Sequence, residues 1–325
     1  MISQPPASTL SFVTRVAQDA ADQAAFISGW AQDYVQLSAG RFSGRLDELC
    51  CGPVQVFREY SARETFQQCQ PWPGAVWFGI PAPHSGERLR FHGHSVPAAA
   101  VLVSDGCSDF ILRTPDDFSI YGIVIGLPLL AARCEQLLGH ALPASWRSNN
   151  ALALDAGRHL QLCQMVDMLL ASARLAPDDI AAPQWQHAIV DALLLALHHS
   201  QPGAPAQRAS TALRQWQWVT AASRQAISPQ LPLCSIEALC RELHVTRRTL
   251  QNGFQAVTAM SPLPFLRALR LNQVRRELRQ PERSQDSIQD IASDWGFWSP
   301  SQFSYEYRRL FGESPSQTRR SVGRH

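Results

Sequence analysis

Ser235-Ile-Glu-Ala-Leu-Cys-Arg-Glu-Leu-His-Val-Thr-Arg-Arg-Thr-Leu-Gln-Asn-Gly-Phe254 is the stretch from which the rest of the chain is best read. Ile236, Leu239, Cys240 and Leu243 recur at i, i+3, i+4 and i+7, which predicts a helix with one buried face. Ser235 is placed to cap its start. His244 and Val245 make a short turn, and Thr246 then caps a second helix with Leu250 and Phe254 inward. Helix, tight turn and helix is the arrangement that offers its second member to the major groove of DNA. The outward positions of that second helix are Arg247, Arg248, Gln251 and Asn252, side chains able to make forked hydrogen bonds to guanine or adenine edges. A merely solvated face would mix in acidic residues, and none occurs between Thr246 and Gln255. Gly253 inside the helix costs roughly 1 kcal/mol against alanine, which points to close approach by DNA or by a neighbouring helix.

The pattern recurs 52 residues on. Ile288, Ile291, Ala292 and Trp295 repeat the same spacing, Phe297 packs near the turn, and Ser299 caps a helix with Phe303, Tyr307 and Leu310 inward. Ser301, Gln302, Tyr305 and Arg308 face outward. The two units are joined by Pro264 to Arg279, an arginine-rich helix about 24 Å long at 1.5 Å per residue. Successive major-groove faces lie about 34 Å apart, so a rigid connector of this size sets two recognition helices on consecutive turns. Thr246, Arg247, Arg275, Arg276, Ser299, Arg308 and Arg309 are the expected phosphate contacts.

Over Leu231 to Ser321 these residues resemble the AraC/XylS family of bacterial transcription regulators. The resemblance rests on LHVTRRTLQNGF, SPLPFLRALRLNQVRREL and DIASDWGFWSPSQFSYEYRRLFGESPSQ, with Gly296-Phe297 and Phe311-Gly312-Glu313-Ser314-Pro315 among its more specific marks. Carried over residue by residue, it implies base reading by Arg248, Gln251 and Asn252 in the first unit and by Ser301, Gln302 and Tyr305 in the second. Ala259-Met260 stands where the family commonly has a glycine turn.

Working outward, charge divides the chain. All 29 basic residues are arginines, and the 27 acidic ones leave a formal net charge of +2, too little to name a partner by itself. Residues 231 to 325 hold 14 arginines against 9 acids, whereas the remainder has an acidic excess. An acidic front and a basic rear suggest a sensing part joined to a nucleic-acid-binding part. Apolar residues near helical spacing predict an amphipathic helix over Ala21 to Leu37. From Arg41 to Val124 short β-rich runs, VQVFREY, AVWFGI, AAAVLV, DFILRT and FSIYGIVI, are separated by turn residues, which predicts a sandwich or barrel. Helical patterns return from Leu127 to Leu138, Leu154 to Ser172 and Pro183 to His199, and Ser200 to Gln207 reads as a linker. The expected fold is α+β: a β-rich mixed effector-sensing domain with flanking helices over 1–205, and an all-α DNA-binding domain with two helix-turn-helix units over 210–325.

The front half resembles the ethanolamine-utilisation operon regulators within that family, through Val54-Gln-Val-Phe-Arg-Glu-Tyr60, Trp72-Pro73, Trp77-Phe-Gly-Ile-Pro81 and Thr114-Pro-Asp-Asp-Phe118. The resemblance implies an activator of ethanolamine catabolism that responds to ethanolamine and adenosylcobalamin, although the corrinoid-binding D-x-H-x-x-G pattern is absent. Trp72, Trp77 and Glu59 are pocket candidates, with Asp116 and Asp117 added because a small cation needs a carboxylate or an aromatic face. Aromatic residues on strands are more often simply core.

The rival readings are the same tail with another effector and, from a different class, a metal-dependent cupin-type enzyme fused to a DNA-binding domain. His92-Gly93-His94 has spacing that could begin a metal site, but no further ligand follows it. No nucleophile, phosphate-loop or dinucleotide motif occurs, so no enzyme activity is expected. Eight cysteines lack any C-x-x-C pair, no run reaches the roughly 20 residues of a membrane span, and the start has no signal-peptide pattern. The chain is expected to be cytoplasmic, with double-stranded DNA, a small effector and RNA polymerase as partners, and to admit a homodimer.

Overall fold

The computed structural model describes residues 10–83, 89–147, 150–175, 183–198, 200–202, 207–227 and 235–322. Its front half runs β1 (Ser11–Ala17), α1 (Ala20–Ala24), β2 (Ala31–Gln36), β3 (Gly44–Cys51), β4 (Val54–Ser61), β5 (Thr65–Gln70), β6 (Ala75–Pro81), β7 (Arg90–Phe91), β8 (His94–Ser95), β9 (Ala100–Asp105), β10 (Phe110–Thr114) and β11 (Phe118–Gly126). There follow α2 (Leu127–Leu138), β12 (Asn150–Ala153), α3 (Ala156–Leu175), α4 (Pro183–Leu197) and β13 (Gln201–Pro202). The rear is helical: α5 (Gln207–Ala226), α6 (Ile236–Glu242), α7 (Arg247–Thr258), α8 (Pro262–Leu278), α9 (Ile288–Asp294), α10 (Pro300–Phe311) and α11 (Pro315–Val322).

Two antiparallel sheets carry the front half, one ordered β1-β3-β4-β11-β6-β9-β12-β13 and the other β2-β5-β10-β7-β8. Period-2 alternation explains how they stack. On β4, Val54 and Val56 join a core with α2, α3 and α4 on the outer side of the larger sheet, whereas Phe57 joins the core between the two sheets. The smaller sheet is covered on its far side as well, where Val35, Phe66 and Ile111 pack with Val219, Phe254 and Phe265 of the helical half. Strands covered on both faces lose the polar alternation of half-exposed ones. That is why β11 is buried along all of Phe118–Gly126.

The predicted helix over Ala21 to Leu37 is replaced by the single turn of α1 and the edge strand β2. Gly29, at φ 77°, turns the chain between them. Tyr34 and Val35 are both buried because β2 is covered on both faces, and this adjacency mimics helical spacing in the sequence. The expected strands within Arg41 to Val124 include β4, β6, β9, β10 and β11. Of the expected linker, residues 203–206 lie outside the described residues, and α5 begins at Gln207.

Candidate nucleic-acid interface

The first unit is built from its caps inward. The Ser235 side chain accepts the Ala238 N–H and that of Thr246 the Thr249 N–H, each at 3.1 Å, which satisfies orphan donors at two helix starts. Leu250, Phe254 and Val257 bury one face of α7. Arg247, Arg248, Gln251 and Asn252 are exposed. Arg247 lies 3.7 Å from Glu237 across the unit. The glycine inside α7 answers to packing within the protein, since a Cβ on Gly253 would stand 3.2 Å from the Trp218 ring of α5.

In the second unit, Phe303, Tyr307, Leu310 and Phe311 bury one face of α10, and Ser301, Gln302, Tyr305, Arg308 and Arg309 are exposed. Ser299 occupies the cap position without a capping hydrogen bond. Its hydroxyl lies 3.4 Å from that of Ser301. Among the described residues no ion pair holds Arg248, Arg308 or Arg309. Tyr305 and Arg309 also border a cavity of about 520 Å³ between α5, α8, α10 and the loop at Leu37. Trp298, 74% exposed just before α10, adds an aromatic ring beside this face, and its exposure is set by packing that the sequence does not show.

One helix, α8, serves both units. Phe265, Leu266 and Leu269 belong to the core of the first, and Leu271, Val274 and Leu278 to that of the second. Arg270, only 3% exposed, donates to the Ala226 carbonyl at 3.1 Å and the Trp295 carbonyl at 3.4 Å, so a buried guanidinium ties the end of α5 to the end of α9.

Arg275 and Arg276, expected at phosphates, are both ion-paired within the protein in this structure. Arg275, with an 11% exposed side chain, pairs with Asp19 and, at 2.7 Å, with Glu313. Arg276 pairs with Asp33 and donates to the Tyr34 carbonyl at 3.0 Å. Arg279 meets Asp22 at 2.6 Å and Asp19 at 3.3 Å. The Asp19 carboxyl is held below its ordinary range by Arg275 and Arg279 against an opposing burial effect. In this arrangement the guanidiniums face aspartates of the front half, because the helix face they share lies toward α1 and β2.

Hydrogen bonds extend the same seam. Asn272 accepts the Gln36 N–H and donates to the Gln36 carbonyl, both at 3.1 Å. The side chain thereby pairs the edge of β2 as another strand would. The Leu310 carbonyl at the end of α10 accepts from Gly40 N at 2.9 Å and Gln36 Nε2 at 2.8 Å. His92 and Gly93, at φ 48° and 80°, form the two-residue turn of the β7–β8 hairpin. A Cβ on Gly93 would stand 3.0 Å from the Ala256 carbonyl of α7, so this turn abuts the first unit. The H-x-H motif is therefore a docking turn, and no group of three metal-ligating side chains forms among the described residues. Burial and His94 push His92 down to about 4.

The five effector candidates do not converge. Trp72 and Trp77 are core between the sheets, Trp77 stacking on Phe110 at 4.3 Å with its Nε1 unpartnered. Asp116 and Asp117 are exposed in the β10–β11 turn, where Asp116 accepts the Glu64 N–H at 2.9 Å and Asp117 the Tyr60 hydroxyl at 2.8 Å. Glu59 is buried on the inner face of the larger sheet. It accepts from Gln23 Nε2 at 2.9 Å and the Tyr34 hydroxyl at 3.2 Å, and burial pushes its carboxyl up to about 7.

Residues 239–321 match a helix-turn-helix domain family. The chain is 41% identical over 76 residues to regulatory protein HrpB of Ralstonia nicotianae, which is 23% of this chain and 16% of that protein. It is 35% identical over 86 residues to the XylDLEGF operon transcriptional activator of Pseudomonas putida, 26% of this chain and 27% of the relative. A solved transcriptional regulator with an AraC-type DNA-binding domain, from Chromobacterium violaceum, aligns at 27% identity over 36% of this chain and 97% of its own, with a TM-score of 0.31. Residues 239–321 of the helical half thus form a helix-turn-helix domain. The chain spans 16% to 54% of the length of the curated relatives it matches.

Proposed function

We propose that the protein is a transcription activator that binds double-stranded DNA through α7 and α10. The observation that carries this reading is the pair of exposed helix faces, Arg248, Gln251 and Asn252 on one and Ser301, Gln302 and Tyr305 on the other, held by a single helix shared between two cores. These six residues would read bases. Thr246, Arg247, Ser299, Arg308 and Arg309 would meet phosphates, with Arg276 joining them once released from Asp33 and Arg275 once released from both Asp19 and Glu313. Residues 210–325 would form the DNA-binding domain, and residues 1–205 an effector-sensing domain that works through a homodimer and RNA polymerase. Selection of genomic fragments by the intact protein, followed by footprinting, tests the reading. Protection of two adjacent major-groove segments is the expected result, and no preference over random DNA would refute it.

Ethanolamine together with adenosylcobalamin is the effector pair we favour. The front-half sequence motifs support it, as does the buried carboxylate of Glu59, which suits a small cation. A reporter under the selected promoter should respond only when both compounds are present. Full activity without either, together with no heat of binding to the intact protein, would remove this effector assignment and leave the DNA-binding reading in place.

A further inference from the structure

A single acid, Glu306, occurs within α10, the helix proposed to enter the major groove. A carboxylate carried toward a duplex is repelled by its phosphates, so its place there calls for a reason. Its two oxygens have different partners. Glu306 Oε2 accepts from Arg267 Nε, and Glu306 Oε1 accepts from Gln302 Nε2 at 3.0 Å. Arg267 belongs to α8, and its guanidinium also lies over the Phe297 ring, 5.3 Å from the centroid. The carboxylate is therefore anchored from the helix shared by both units as well as joined to its neighbour on α10.

Gln302 and Glu306 stand at i and i+4, where helix side chains meet. An unsupported glutamine amide turns over readily, exchanging its carbonyl oxygen for its N–H donors, because its last torsion is broad. An ionised carboxylate accepts and never donates, so Glu306 is faced by the nitrogen end of the amide alone. One N–H is then engaged. The second N–H and Oε1 remain on an exposed side chain, a donor and an acceptor that match N7 and N6 of adenine. Guanine offers two acceptors, N7 and O6, and would leave Oε1 facing one of them. A contact that strands an acceptor is a means of rejecting the wrong base.

We propose that Glu306, anchored by Arg267, is a positioning residue that fixes the amide of Gln302 so that the second unit prefers adenine to guanine at the base pair it reads. This inference rests on the reading that α10 enters the major groove.

The test is a panel of single-base variants of the DNA selected by the intact protein, with an affinity measured for each. Gln302→Ala identifies the base pair in question, as the one where preference disappears. Wild type should favour adenine over guanine there by about tenfold, the scale of one bidentate pair. Glu306→Ala should lower that ratio to about twofold or less. Glu306→Gln, whose carbonyl can still accept from Arg267 and Gln302, should keep a larger share of it. Arg267→Met, which retains an unbranched stem and removes the charge, should lower the ratio as well. In the Gln302→Ala background neither Glu306→Ala nor Arg267→Met should change the ratio further. Guanine favoured by the wild type, an unchanged ratio in Glu306→Ala, or weakening of every panel member by one factor would overturn the positioning role. A wild type that prefers no member of the panel would refute base reading by the protein itself, and is told apart because it shows without any variant.

Discussion

Arg248 and Gln251 stand exposed on α7, and among the described residues no ion pair occupies the guanidinium, so their forked donors and acceptors are available to base edges. Arg248→Ala or Gln251→Ala should cost about 1–3 kcal/mol of specific binding and relax preference at particular base pairs, measured as affinities on a panel of single-base operator variants. Uniform weakening over the panel would assign both residues to phosphates instead. Ala259 ends α7 at φ 46°, in the left-handed region where a Cβ is strained. Ala259→Gly should raise stability by about 0.5–1 kcal/mol despite the added freedom of the unfolded chain. Chemical denaturation checks this, and an unchanged midpoint would mean that the strain is relieved elsewhere.

His92 carries a pH dependence of definite sign. Its folded value, pushed down to about 4, lies below the unfolded value near 6.5, so the unfolded state binds the proton more readily between these limits. The stability contributed by keeping the ring neutral is present above about pH 6.5 and is lost as pH falls toward 4. His92→Asn, which tolerates the positive φ of the turn, should make the acid-side fall in melting temperature over that window shallower. Parallel curves for variant and wild type would exclude the residue as the source.

At the scale of elements, α8 is the member on which most depends. Seventeen residues from Pro262 to Leu278, about 26 Å of helix, belong to two cores and also face the edge of β2. Amphipathic reading expects one buried stripe, yet α8 buries Phe265, Arg270, Leu271, Asn272 and Val274 around much of its circumference. A helix enclosed on several sides has no single apolar face to detect. Asn272→Ala should strand the Gln36 N–H and carbonyl in a buried seam, at a cost of about 2 kcal/mol. Faster amide exchange at Gln36 and across α8, with the cores of α7 and α10 still protected, is the expected pattern. Loss of protection throughout would mean that Asn272 supports the whole fold rather than the seam.

For the whole molecule, the proposed DNA binding and the docking of the two halves would compete for the same charges. With Arg275, Arg276 and Arg279 facing aspartates, the intact protein should release fewer counterions on binding than its arginine content suggests. Asp19→Asn, Asp22→Asn and Asp33→Asn combined should free Arg276 and Arg279, with Arg275 still held by Glu313, and steepen the log–log salt slope by as much as about 1.8, at about 0.9 per phosphate neutralised. Fluorescence anisotropy on operator DNA over a range of salt concentrations measures this. An unchanged slope would show that these arginines do not reach phosphates even when released.

Residue order alone determined the two helix-turn-helix units, because their caps, turns and inward residues lie within about twenty positions of one another and local spacing is enough to specify them. It also marked which side chains would face outward on α7 and α10, since a helix with one buried stripe exposes the remainder. The strand runs of the front half were legible for the same local reason. Tertiary structure alone decided that Ala21 to Leu37 divides into α1 and a doubly covered edge strand, that Gly253 makes room for Trp218, and that Trp72 and Trp77 fill a core while Asp116 and Asp117 stay in an exposed turn. It also decided the engagement of Arg275 and Arg276, whose aspartate partners lie more than 240 residues away in sequence. An arginine on a helix presents the same charge to a phosphate as to a carboxylate. Only the packing of two halves of the chain determines which of them it meets.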